Sequence, residues 1–125
     1  MGAFGGPDII TDGLIFAIDA GSTRSYVNPV TTVNNLAGSN TATLYNGVAF
    51  STANGGIWDF DGGDDYGVLP NSAIPTGNQI TMSFWVEVDS VQNSSIIAGS
   101  SNNSTQNLNV HLPWGNSIVY FDAGS

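Results

Sequence analysis

The sequence predicts an all-β protein, an antiparallel two-sheet sandwich, and three observations carry that expectation. Sixteen glycines punctuate 125 residues that are also rich in Ser, Thr and Asn. Lys, Arg and Glu, which solvate the exposed faces of helices, are almost absent. Apolar residues alternate at a period of two in several short runs between glycine turns, as half-buried strands require. With 41% hydrophobic residues the chain can furnish a core, and its length is about that of one domain.

Residues 1–7 form a glycine-rich arm with too little apolar surface to order itself, Phe4 being its one anchor. The sandwich domain is expected over residues 8–125. Leu14, Phe16 and Ile18 share one face against Ile15, Ala17 and Asp19, which gives a first strand ending at Ala20-Gly21. A polar loop follows over residues 21–29. Short strands are expected at residues 42–45, 48–50, 57–61 and 66–69, separated by turns at Asn46-Gly47, Asn54-Gly55 and Gly62-Gly63. The cleanest alternation lies over residues 80–88. There Ile80, Met82, Phe84, Val86 and Val88 oppose Thr81, Ser83, Trp85 and Glu87, which predicts a central strand. Beyond Ile96-Ile97, residues 100–107 read as a loop, and strands around Val110 and Val119 are joined through Pro113-Trp114-Gly115-Asn116. The residues expected between the sheets are Phe16, Ile18, Trp58, Phe60, Phe84 and Val86.

Four of these segments carry a resemblance. STANGGIWDFDGGDDY, residues 51–66, resembles the glycine turn, F-D-G and D-D-Y segment of concanavalin A-like, laminin G-like jelly-roll domains. GLIFAIDAGSTRSY (13–26) resembles the opening strand of such domains in tailed-phage structural proteins. ITMSFWVEV (80–88) is similar to their long inner strand, and LNVHLPWGNSIVYFDAGS (108–125) to a later hairpin. Together these cover about half the chain. The resemblance implies a jelly roll acting as a non-enzymatic virion module in head decoration, tail or fibre. Its implied partners are other virion proteins and copies of itself, and its implied location is the virion surface after synthesis in a host cytoplasm. Domains of the family continue into another tryptophan-containing strand and a closing meander. The resemblance therefore also implies a partial domain, whose edge is covered by more of a longer polypeptide or by neighbouring copies.

Ten acidic residues against Arg24 alone give a net charge of −9, which repels phosphate backbones and anionic membrane surfaces. Neither nucleic acid nor membrane is an expected partner. The same charge keeps an abundant protein soluble. Without cysteine, disulfides and thiolate chemistry are excluded. The apolar run over residues 9–20 is broken by Asp12, Gly13 and Asp19, so it fits neither a secretory signal nor a membrane span. The acceptor patterns at Asn93, Asn102 and Asn103 read as loop composition.

Some jelly-roll relatives are glucanases with an E-x-D-x-x-E strand motif, a nucleophile and an acid/base flanking the sugar bond. Glu87-Val88-Asp89 fits its first half, but the third acid falls at Gln92, which cannot exchange a proton, and Glu87 is the single glutamate. His111 is the single histidine and has no G-x-S-x-G serine to serve, nor companions for a zinc site. No catalytic residue is expected. Calcium wants hard oxygen ligands, and Asp59, Asp61, Asp64 and Asp65 crowd beside glycines that expose carbonyls. Asp61, Asp64 and Asp65 are the candidate ligands, with solvation of the Asp side chains as the plain alternative. A sugar's apolar face stacks on an aromatic ring while its hydroxyls need fixed polar partners. Trp114 with Asn116 in a hairpin turn is the candidate pair for host-surface glycan, a core or interface role for the tryptophan being the alternative.

Overall fold

The computed structural model describes residues 10–74, 79–90, 97–100, 107–111 and 115–124. The chain divides into two compact units, Met1–Ile80 and Thr81–Ser125. Regular structure in the described residues is predominantly strand, in small antiparallel sheets with two single 3-10 turns.

The first unit holds β1 (Thr32–Asn34), β2 (Thr41–Tyr45), β3 (Ala49–Ser51), β4 (Ile57–Asp59) and β5 (Tyr66–Val68). β1, β2 and β5 form one antiparallel sheet in that order, and β3 pairs with β4 in a second. The sequence TATLY makes β2 a strand because its β-branched and aromatic residues alternate with apolar ones. Ala42 and Leu44 point inward and are buried, while Thr41 and Tyr45 are exposed. The three residues of β1 are too few to show a period, so the alternation did not reveal them. Val33, fully buried opposite Ala42, is what holds β1 in place.

Side chains from both small sheets meet in one core. Tyr26, Val33, Ala42 and Leu44 are its buried centre, and Phe16, Ile18, Val48, Phe50 and Trp58 pack against it. The Tyr26 ring lies 5.3 Å from Phe50 and crosses Trp58 nearly perpendicularly at 5.6 Å. Full burial of an aliphatic side chain such as Val33 or Leu44 contributes roughly 1.5–3 kcal/mol. Phe16, Ile18 and Trp58 thus take the inward positions their alternation predicts. Phe60 does not: pairing in β4 stops at Asp59, and one residue later the ring is 46% exposed.

The segment 14–20 is not the first strand its alternation predicts, because a side chain replaces the ladder. Ala17 N–H donates to Asn35 Oδ1 (2.9 Å), and Asn35 Nδ2 donates to the Ile15 carbonyl (3.2 Å). Leu36 N–H donates to the Ala17 carbonyl (2.8 Å). Asn35 also accepts from Ala37 N–H (2.9 Å) and donates to Asn40 Oδ1 (2.6 Å), so its buried amide is fully occupied. Ser25, also buried, accepts from Asp19 N–H and donates to the Asn34 carbonyl.

In the second unit β6 (Ile97–Ser100), β7 (Asn107–His111) and β8 (Tyr120–Gly124) form a three-stranded antiparallel meander. The expected C-terminal pair is present as β7 and β8, with fully buried Val110 opposite Phe121, but its second strand runs Tyr120–Gly124 and leaves Val119 outside it. Residues 81–88 differ from the expected central strand. Alternation survives at Met82 and Phe84, both half-buried between exposed neighbours, but no described residue pairs with this segment. Val86 is 48% exposed rather than core, and Trp85 is fully exposed. Periodicity marks the two faces of an extended chain; a ladder also needs a partner backbone, which no period encodes.

Candidate functional site

The two small sheets of the first unit are linked by two connections. Asn46-Gly47 carries the chain from β2 into the β3–β4 pair, and residues 60–65 carry it back to β5. Asn46 and Gly47 both adopt positive φ (67° and 107°), which Asn and Gly tolerate best. The connections meet, since Asn46 Nδ2 donates to the Asp64 carbonyl (2.7 Å). Directly beside them Tyr45 opposes Tyr66 across the β2–β5 ladder, their rings stacked at 5.0 Å and 13°.

The acidic return turn builds itself from its own carboxylates. Gly63 N–H donates to Asp61 Oδ1 (2.7 Å), the short side-chain turn that aspartate favours, and Gly62 supplies the positive φ of 72°. Asp61 N–H donates to Asp65 Oδ2 (3.1 Å), closing the loop. The Gly63 amide holds the Asp61 carboxyl below the usual aspartate range, and the amides of Asp65 and Asp64 reinforce it against desolvation.

Asp61, Asp64 and Asp65 are brought together as the sequence suggests: each offers a carboxylate oxygen, and the three lie within 4.8 Å of one another. Oxygens on opposite sides of one calcium ion stand up to about 5 Å apart. The donor set, all oxygen, exposed or half-buried, therefore suits a hard hydrated cation. Asp59, opposite Ala49 in the β3–β4 pair, is not one of the three.

Trp114 lies outside the described residues. Asn116 stands in an exposed turn, where its Oδ1 accepts from Ile118 N–H (3.1 Å) and its Nδ2 donates to the Tyr120 hydroxyl (2.7 Å). Both bonds build the turn and tie it to the first residue of β8. Glu87 and Asp89 are exposed, Gln92 falls outside the described residues, and His111 is half-buried in β7 opposite Tyr120. Among the described residues no helix is long and apolar enough to cross a membrane.

Sequence marks Asn46 as a turn residue but shows neither its bond to Asp64 nor the Tyr45–Tyr66 pair. Their signal was present as two tyrosines flanking the two inter-sheet turns, but the register that joins them is a tertiary fact. Comparison with protein-family models, curated proteins and solved structures finds no match to this chain.

Proposed function

We propose that the chain is a non-enzymatic structural module of a tailed-phage virion, a laminin G-like, concanavalin A-like jelly roll carried on the surface of head, tail or fibre. The observation that carries this reading is the segment 51–66, whose turn, aromatic strand and acidic turn resemble the family. In support, its Trp58, with neighbouring Phe50, packs with Val33 and Leu44 of the other sheet, as two layers of a sandwich do. A surface rich in Ser, Thr, Asn and Asp suits an exposed repeated element, and the net charge of −9 keeps such an element from random association. Its partners are other virion proteins and further copies of itself. It is not a glycosidase, because Gln92 stands where the acid/base belongs. Mass spectrometry of gradient-purified particles tests the reading: peptides of this chain are expected in the particles, and their confinement to the soluble lysate would overturn it.

A second reading, a calcium-assisted carbohydrate-binding module for host-surface glycan with Trp114 and Asn116 as its candidate sugar contacts, is favoured by the convergence of Asp61, Asp64 and Asp65. A glycan array probed with and without chelator separates the two. Glycan binding that chelator abolishes supports the module, and a blank array leaves the structural role alone.

A further inference from the structure

We propose that the outward face of the β1–β2–β5 sheet at Tyr45, Tyr66 and Val68 docks an arginine- or lysine-bearing segment of a partner protein. This deepens the virion reading by naming the chemistry of one partner. Ala42 and Leu44 face the core, so Tyr45 and, through the ladder, Tyr66 and Val68 face outward. They are 42%, 48% and 47% exposed. Large apolar groups gathered on one exposed face mark a contact surface more than isolated ones do. The two rings are already stacked, so binding costs little further side-chain ordering.

Charge selects the occupant. Ten acidic residues face a single arginine in the whole chain, so a second copy would bring like charge to this face. The acidic turn that gathers the carboxylates of Asp61, Asp64 and Asp65 leads directly into Tyr66 at the start of β5, and Asn46, next to Tyr45, is bonded to the Asp64 carbonyl. A guanidinium or ammonium group gains from an aromatic face and from a neighbouring carboxylate together, whereas an anionic or neutral segment gains at most from the rings.

The test is a fluorescence titration of the whole protein with a labelled Arg-Gly repeat peptide and its Gln-Gly counterpart, at about 50 mM and about 500 mM salt. The expected result is binding of the arginine peptide at least about tenfold tighter than the glutamine peptide, weakened by salt. The double variant Tyr45→Ser, Tyr66→Ser should lose about fivefold or more, and Tyr45→Phe, Tyr66→Phe should retain binding, since the ring face is kept. A charge-matched control, Asp12→Asn with Asp89→Asn, should change binding less than Asp64→Asn with Asp65→Asn does. Should the serine variant not fold, amide shift mapping on the wild type decides, with perturbation expected at Tyr45, Asp64, Asp65, Tyr66 and Val68. Equal binding of the two peptides, equal loss in the control variant, shifts mapping elsewhere, or no binding would each overturn the proposal. The virion reading is decided separately by the particle measurement, so either can fail without the other.

Discussion

Asn35 is the residue on which the first unit turns. Its buried amide serves two backbone donors, one carbonyl and the Asn40 side chain, so truncation strands several polar groups at once. Asn35→Ala is expected to lower stability by about 2–4 kcal/mol in urea titration, because buried groups left unpaired lose their full desolvation cost. A loss below about 0.5 kcal/mol would mean that water replaces the amide. At the acidic turn the sign of the pH effect follows from Asp61. Its carboxyl is held below the ordinary value of 3.8 by backbone amides. Its charged form therefore favours the folded state above that value, and the contribution disappears as pH falls through the lower folded value. Asp61→Asn should reduce the urea midpoint at neutral pH, with the gap to wild type closing on acidification below 3.8. A gap independent of pH would assign the effect to shape instead of charge.

At the scale of elements, Gly21 and Gly56 set how closely the loop after residue 20 approaches the β3–β4 connection. Gly56 adopts φ 128°, and a Cβ there would collide with the backbone of Gly21 and stand 2.9 Å from the Ala20 carbonyl carbon. Gly56→Ala combines a disfavoured φ with a backbone overlap that no rotamer relieves. It should cost about 2 kcal/mol or more, read as a fall in melting temperature, whereas Gly47→Ala, with positive φ but open space, should cost less. Equal effects would remove the close approach from the account. Turns and short strands were legible because Asn-Gly and Gly-Gly pairs announce positive φ locally, and β2 to β5 fall within a residue or two of where alternation places them. The segment 14–20 misled because its backbone is held chiefly by side chains, Asn35 at Ala17 and Ile15 and Ser25 at Asp19, with Leu36 supplying one backbone bond. Residues 81–88 misled for the complementary reason: their two faces are written in sequence, but the neighbour that would complete a ladder is not.

For the molecule as a whole, the candidate site was half legible. Asp61, Asp64 and Asp65 could be named because ligand chemistry and crowding are local. The stacked tyrosines could not, since Tyr45 and Tyr66 meet only through the β2–β5 register. If calcium binds the folded turn, millimolar calcium raises the melting temperature of the wild type by linkage and leaves Asp64→Asn, Asp65→Asn unmoved. Identical wild-type curves in calcium and in chelator would remove the metal. The central claim, an exposed structural module on a tailed-phage particle, is tested most directly by immunogold electron microscopy of intact particles with antibody raised against this chain. The account predicts regular gold labelling at one kind of position, on the head surface, the tail or the fibres, of undisrupted virions. Unlabelled particles, with all antigen in the particle-free supernatant, would contradict it.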